Sequence, residues 1–485
     1  MTVAFNAIAG LLYTPWLVKT LGDTDYGLYV IALSVIGVFM MDFGIGAAVS
    51  KYMSMYCATG DDKRASQFLG IIYRMYAVVA LLVALTLTAV YFSLGTIYSR
   101  LSPAEIETLK VLFIIAGTYS VLSLPFIPQT GILLAHERLV ALKSAGLIQK
   151  IATVLLIVAA LHNGMDVRAV VTANAVTGLF FILVRAVLIR RTTNVQPAYT
   201  YKDRGLRAEI LRFSGWTTLG LIAGRMIFNT TPALMGALSG PASVVIFGLA
   251  SSIEGYVYSV SEALNGLFLP RVSRIIATSA DPSGAILELM IRVGRIQLYV
   301  IGLIVVGFIV AGPVFIDAWM GPEYRSVYVC ALLLILPGLI EMPQQIGTTA
   351  VVAANHVRAQ SLVGVGMAVV NVALVLVLVG PFGAVGAAAA VLAASAVRAI
   401  GMNTVYARLL RIDLRSFFVR TYGSWIAPAA IAILAGLLIR GQVPLVGWPG
   451  VLFQATAVTI CYAAAMYALA LNNDERTAVK NALHR

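Results

Sequence analysis

The chain has 485 residues, 60% of them hydrophobic and only 11% charged, with a mean hydropathy of +0.91. That composition excludes a soluble globular domain and indicates an integral membrane protein. The net charge of +13 raises nucleic acid as a partner, but the basic residues lie in loops between apolar stretches, where membrane topology accounts for them, so no nucleic acid is expected.

Apolar windows of helical length mark fourteen transmembrane spans, since about 20 apolar residues are needed for each crossing. They begin near Thr2, Tyr26, Ser66, Leu109, Val140, Val167, Ile210, Ala242, Val293, Ser326, Arg358, Gly383, Val419 and Val446. None shows the residue-by-residue alternation of a membrane β-strand, so the class is an all-α polytopic membrane protein. Met1 leads directly into the first apolar run without a basic leader, and span 1 is expected to stay in the mature protein. The loops after even-numbered spans, with the C-terminal tail, carry 23 Lys and Arg against six on the opposite face, which places both termini in the cytoplasm.

Span 1 contains Thr14-Pro15-x-Leu17-x-x-x-Leu21, and the pattern returns at an offset of 217 as Thr231-Pro232-x-Leu234-x-x-x-Leu238. Pro125 and Pro343 are 218 apart, and Arg191 and Arg408 are 217 apart, so the offset holds across six spans. An even number of spans per repeat gives two parallel, pseudo-symmetric six-helix lobes. The expected organisation is an N-terminal lobe over 1–192, a cytoplasmic basic linker over 193–209, a C-terminal lobe over 210–411, and two further helices with a cytoplasmic tail over 412–485. Pro15 and Pro232 each remove a helical hydrogen bond and bend the first helix of their lobe, as a hinge or as a static kink.

No catalytic constellation emerges. His136, His162, His356 and His484 sit at loops or ends without Ser/His/Asp or HExxH spacing, and no GxxxxGK[ST] loop is present. The three cysteines, Cys57, Cys330 and Cys461, are scattered and odd in number, so no metal and no organic cofactor are indicated. A glycosyltransferase would need a large extramembrane loop or an acidic donor-sugar site, and the longest loop here is short and basic.

Pro15-Trp16-Leu17, Leu21-Gly22-Asp23-Thr24-Asp25-Tyr26-Gly27-Leu28-Tyr29 and Asp42-Phe43-Gly44-Ile45-Gly46 together resemble the signature of the polysaccharide-export flippases. These are the Wzx-type branch of the multidrug/oligosaccharidyl-lipid/polysaccharide exporter superfamily. Leu269-Pro270, Ala354-Asn355, Asn371 and Gly383-Ala384-Val385-Gly386-Ala387-Ala388 extend the likeness over the whole chain. The resemblance implies a V-shaped pair of lobes around a central cavity, and alternating access that moves an undecaprenyl-pyrophosphate-linked oligosaccharide across the bacterial cytoplasmic membrane. Many relatives carry an Asp midway along span 7 where this chain has Asn229, which removes a carboxylate for ion coupling at that position.

Charged side chains near the bilayer midplane are costly and need a partner or water. Asp42, Lys150, Arg225, Glu254, Glu341 and Arg398 fall there. A flippase needs cations to replace water around phosphate, and arginine suits phosphate through its planar fork of donors. Arg225, with Thr218 at i−7 and Asn229 at i+4, is the first candidate. Span 8 shows a polar stripe of Glu254, Tyr258, Ser261, Glu262 and Asn265, and span 10 one of Glu341, Gln344, Gln345, Thr348 and Thr349. Arg225, Lys150, Arg398, Asn229, Glu254, Tyr258, Glu341 and Asp42 are therefore the expected substrate-binding residues. The competing structural reading pairs Asp42 with Lys150 and Glu341 with Arg398. It also lets Arg74 and Arg185 reach back to the cytoplasmic interface.

The expected partners are the lipid-linked oligosaccharide and membrane lipid, with contact to a polysaccharide polymerase or glycosyltransferases left open, as is coupling to protons or sodium ions. Two alternatives share the fold: a cation-coupled multidrug exporter and a peptidoglycan-precursor (lipid II) flippase.

Overall fold

The structure is a computed structural model of the chain. It describes all residues except 1, 41–44, 137, 194, 202, 209, 211–217, 219–223, 225–228, 266–267, 280, 472–474 and 478–485, and it describes no side chains at 2–9, 47–48, 50–51, 58, 139, 260–265 and 269–270. Among the described residues every regular element is helical. In chain order they are α1 (Thr2–Leu21), α2 (Asp23–Phe39), α3 (Ile45–Thr59), α4 (Asp62–Ile97), α5 (Pro103–Ser123), α6 (Pro128–Ala135), α7 (Leu139–His162), α8 (Val167–Thr192), α9 (Thr231–Ser239) and α10 (Pro241–Asn265). There follow α11 (Leu269–Thr278), α12 (Pro282–Trp319), α13 (Ser326–Ile335), α14 (Gly338–Glu341), α15 (Gln345–Ala353), α16 (Val357–Leu409), α17 (Leu414–Tyr422), α18 (Ile426–Gln442) and α19 (Gly447–Leu469).

Local chemistry sets many of the helix ends. Ser102 and Glu105 form a reciprocal capping box on α5, with Pro103 in its first turn. The Asp61, Asp281 and Asp413 carboxylates accept backbone N–H bonds from Arg64, Gly284 and Ser416 at 2.9, 3.1 and 3.1 Å. The two copies of the Thr-Pro-x-Leu element finish alike: α1 stops at Gly22 (φ 79°) and α9 at Gly240 (φ 81°). Both turns need the left-handed backbone that glycine adopts without a Cβ penalty.

Nine helices among the described residues are long and apolar enough to cross a membrane, or up to eleven when two bent pairs are included. Fourteen spans are expected, and the difference lies in three places. The spans expected near Arg358 and Gly383 form one 53-residue stretch, α16, broken at Gly383 (φ 54°, ψ −130°). At about 1.5 Å per residue that stretch is near 80 Å long, enough for two crossings of a core of about 30 Å. The spans near Thr2 and Tyr26 are α1 and α2, bent by 117° at Gly22. Most of the span expected near Ile210 lies outside the described residues. The outward apolar faces, with Leu81, Leu82, Leu85 and Phe92 on α4 all more than half exposed, are those of a multi-pass membrane protein.

The chain forms two compact units, Trp16–Val245 and Val3–Pro15 with Ile246–Arg485, called here the N-unit and the C-unit. In the N-unit a core of Tyr52, Phe68, Ile72, Tyr76 and Leu133 also takes in Val195 and Ile210 from the segment after α8. That segment is docked rather than free. The Ala198 N–H donates to Ser66 O at 2.9 Å, the Tyr199 ring packs edge-on to Tyr73 at 6.1 Å, and Arg74 donates to Tyr201 O. Its turn is fixed by Asp203, whose carboxyl is held below the usual range by the Leu206 N–H and by Tyr201 OH.

Membrane helices must satisfy backbone groups internally, so each interior proline leaves the carbonyl four residues earlier in want of a donor. Three such carbonyls in the C-unit are met by side chains. Pro15 frees Leu11 O, which accepts from Trp319 Nε1 at 2.5 Å. Pro313 frees Ile309 O, which accepts from Tyr328 OH at 3.2 Å. Pro343 frees Leu339 O, which accepts from Tyr422 OH at 2.7 Å. The two C-terminal helices are fastened to the same unit through Arg295. It donates to both Glu475 carboxylate oxygens at 3.0 and 2.9 Å and to Ala470 O at 2.9 Å.

Candidate functional site

Four of the eight expected site residues come together in the C-unit. Glu254 and Tyr258 are one turn apart on α10, Glu341 ends α14, and Arg398 lies midway along the second half of α16. Arg398 Nη1 is 2.5 Å from Glu341 Oε2, and Tyr258 OH donates to the same oxygen at 3.3 Å. The other Glu341 oxygen is buried without a partner among the described residues. Glu254 is 6% exposed and lies within electrostatic reach of Glu341 and Tyr258. Glu341 therefore pairs with the guanidinium while Glu254 lies near Glu341, and Arg398 keeps a third of its side chain open.

The break at Pro343 shapes this site. Bending between the helices α13–α14 and α15, by 57°, leaves Glu341 at a helix end where its carboxylate reaches α16 and α10. Beside it, Gln344 Nε2 donates to Asn403 Oδ1 at 3.0 Å, and Thr348 Oγ1 meets Tyr406 OH at 2.8 Å. Asn403 and Tyr406 are additions that the sequence reading missed. Arg398 and Tyr406 are eight residues apart on one helical face, so the rule that exposed the stripes of spans 8 and 10 would have found Tyr406. It was obscured because the segment reads as the basic end of span 12.

The remaining expected residues fall elsewhere. Lys150 is exposed on α7 in the N-unit. Asn229, also in the N-unit, lies so near Gly37 that a Cβ there would sit 2.5 Å from its Oδ1, and its Nδ2 is buried without a partner among the described residues. Asp42 and Arg225 lie outside the described residues, as do the side chains of Ser261, Glu262 and Asn265. Of the two expected ion pairs, Glu341–Arg398 is formed. Arg185 donates to Gln149 Oε1 on α7 at 3.2 Å, within a polar seam where Thr153 and Thr177 hydroxyls meet at 2.7 Å. Among the described residues no group of three His, Cys, Asp or Glu is placed to hold a metal ion.

A family model described as polysaccharide biosynthesis protein matches residues 1–276. The uncharacterized membrane protein EpsK of Bacillus subtilis (strain 168) is 21% identical over 483 residues, covering 96% of this chain and 93% of that protein. Among solved structures, the lipid II flippase MurJ in an inward closed conformation aligns with a TM-score of 0.73 at 13% identity, over 96% of both chains. An inward-facing multidrug-resistance MATE transporter of the MOP superfamily aligns at 0.70 and 12% identity, over 84% of this chain and 94% of that one. At these identities the structural likeness speaks for the fold.

Proposed function

The chain belongs to the polysaccharide biosynthesis protein family, and on that premise we propose that it is a flippase for an undecaprenyl-pyrophosphate-linked oligosaccharide, working by alternating access in the bacterial cytoplasmic membrane. The observation that supports this most is the cluster of Glu254, Tyr258, Glu341 and Arg398 inside otherwise apolar helices. Charges at such depth are costly and mark a transport path by default. The repeat strengthens the point. At the repeat offsets of 217 to 218 the first half of the chain holds Gly37, Met41, Ser123 or Leu124, and Phe181, none of them charged. The repeat does not call for charges at these places, which supports their use by the substrate.

In this reading Arg398 neutralises charge on the pyrophosphate, while Tyr258, Gln344 and Asn403 offer hydrogen bonds to sugar hydroxyls. With two carboxylates for one guanidinium, the cluster lacks one positive charge, and a proton or a sodium ion supplies it. Both termini face the cytoplasm, and the polymer-assembling enzymes receive the flipped lipid on the far side. The MATE and MurJ likenesses keep two other cargoes in view, small drugs and lipid II. A deletion strain separates the three. Loss of a surface glycan with unchanged drug susceptibility and growth is expected, whereas drug hypersensitivity with an intact glycan profile, or loss of viability, would assign a different cargo.

A further inference from the structure

One core in the C-unit is built by Val272 of α11, Met290 and Val293 of α12, Val405 and Tyr406 of α16, and Phe417 of α17. The opposite sides of these elements carry Arg271, Arg274, Arg292, Arg408, Arg411 and Arg415, all exposed. None of the six side chains has a hydrogen-bond or ion-pair partner among the described residues. The described carboxylates of the same elements are engaged elsewhere. Asp281 and Asp413 cap helices, and Glu288 is bonded to Arg420. The surface is therefore strongly positive, and it lies on the face that the loop-charge count assigns to the cytoplasm.

Arg411 supplies a second, independent observation. It stands in the left-handed backbone region at φ 53°, in the turn that returns the Ile412 N–H to Tyr406 O at 3.1 Å. Glycine adopts that conformation freely, and an L-residue does so at an energetic cost. An arginine kept at such a place, exposed and unpaired, points to use of its charge.

We propose that this arginine surface binds the headgroups of anionic phospholipids, holding the cytoplasmic end of the C-unit against the inner leaflet. The short amphipathic α11 and α17 supply the geometry. Each buries an apolar side in the protein core and turns arginine outward, the arrangement of an amphipathic helix that lies among lipid headgroups. Clusters of four to eight basic residues beside a membrane span attract anionic lipid in this way.

The test uses the purified full-length chain in phosphatidylcholine nanodiscs, titrated with phosphatidylglycerol and read by lipid retention in native mass spectrometry and by the unfolding midpoint. Wild type should retain phosphatidylglycerol over phosphatidylcholine. The variant Arg271→Gln/Arg274→Gln/Arg411→Gly/Arg415→Gln should bind it at least roughly tenfold more weakly, with an unchanged midpoint in phosphatidylcholine alone. Arg411→Gly by itself should weaken retention by about twofold or more while raising the midpoint or leaving it unchanged. Equal retention of the two lipids by wild type, or full retention by the fourfold variant, would overturn the proposal. So would displacement of the lipid by millimolar inorganic phosphate, which would make the surface a site for soluble phosphate. A lowered midpoint for Arg411→Gly would show that this arginine serves the fold instead.

Discussion

Arg398→Ala is expected to lower the stability of the protein by about 2 to 4 kcal/mol, somewhat below the cost of breaking a fully buried pair because the guanidinium is a third exposed. The change strands Glu341, whose second oxygen already lacks a partner, beside the buried Glu254. Adding Glu341→Gln removes the stranded charge, and the double variant should regain most of the lost stability. Export should not return with it. Thermal unfolding of the four proteins in the cycle, set beside surface glycan levels at matched expression, separates the two roles. Recovery of both stability and export in the double variant would reduce the pair to a structural one.

Gly70→Ala should be nearly as damaging, although the substitution is favoured by helix propensity by about 1 kcal/mol. A Cβ at Gly70 would lie 2.0 Å from Ala198 O and 2.5 Å from its carbonyl carbon. The obstacle is backbone, and it is held in place by the Ala198–Ser66 hydrogen bond, the Tyr73–Tyr199 ring contact and the burial of Val195. Because the segment has no inexpensive retreat, a net loss of about 1 to 3 kcal/mol follows from overpacking. Gly10 makes a useful contrast, since the nearest atom to its added Cβ is the hydroxyl end of Tyr256, which can swing aside. A Gly70→Ala protein with a raised unfolding midpoint would show that the segment after α8 is not docked on α4.

The helical membrane architecture was legible because apolar runs of span length admit few other solutions. Span counting was less so. A window of hydropathy places a boundary near Gly383, where α16 breaks, but it merges the amphipathic α17 with α18 across the Gly423–Trp425 turn. The polar cluster was legible wherever polarity recurred at helical spacing: Glu254 and Tyr258 share a face, and Glu341 pairs with Arg398 as the structural reading expected. What periodicity does not reveal is which distant group completes a local deficit. Pro15 announces an unsatisfied carbonyl at Leu11, but its donor is Trp319, 308 residues further along the chain. Gly70 likewise reads as an ordinary helical glycine until Ala198 is laid against it.

The central claim is that this chain moves a lipid-linked oligosaccharide across a bilayer, and flipping by the purified protein tests it most directly. Liposomes containing the protein would be loaded with lipid-linked oligosaccharide extracted from the deletion strain, and the fraction exposed to an added, membrane-impermeant glycosidase followed over time. The protein should bring the inner-leaflet pool out to the enzyme, and the Arg398→Ala/Glu341→Gln double variant, folded but without its charge pair, should leave that pool protected. Exposure no faster than in protein-free liposomes would contradict the account.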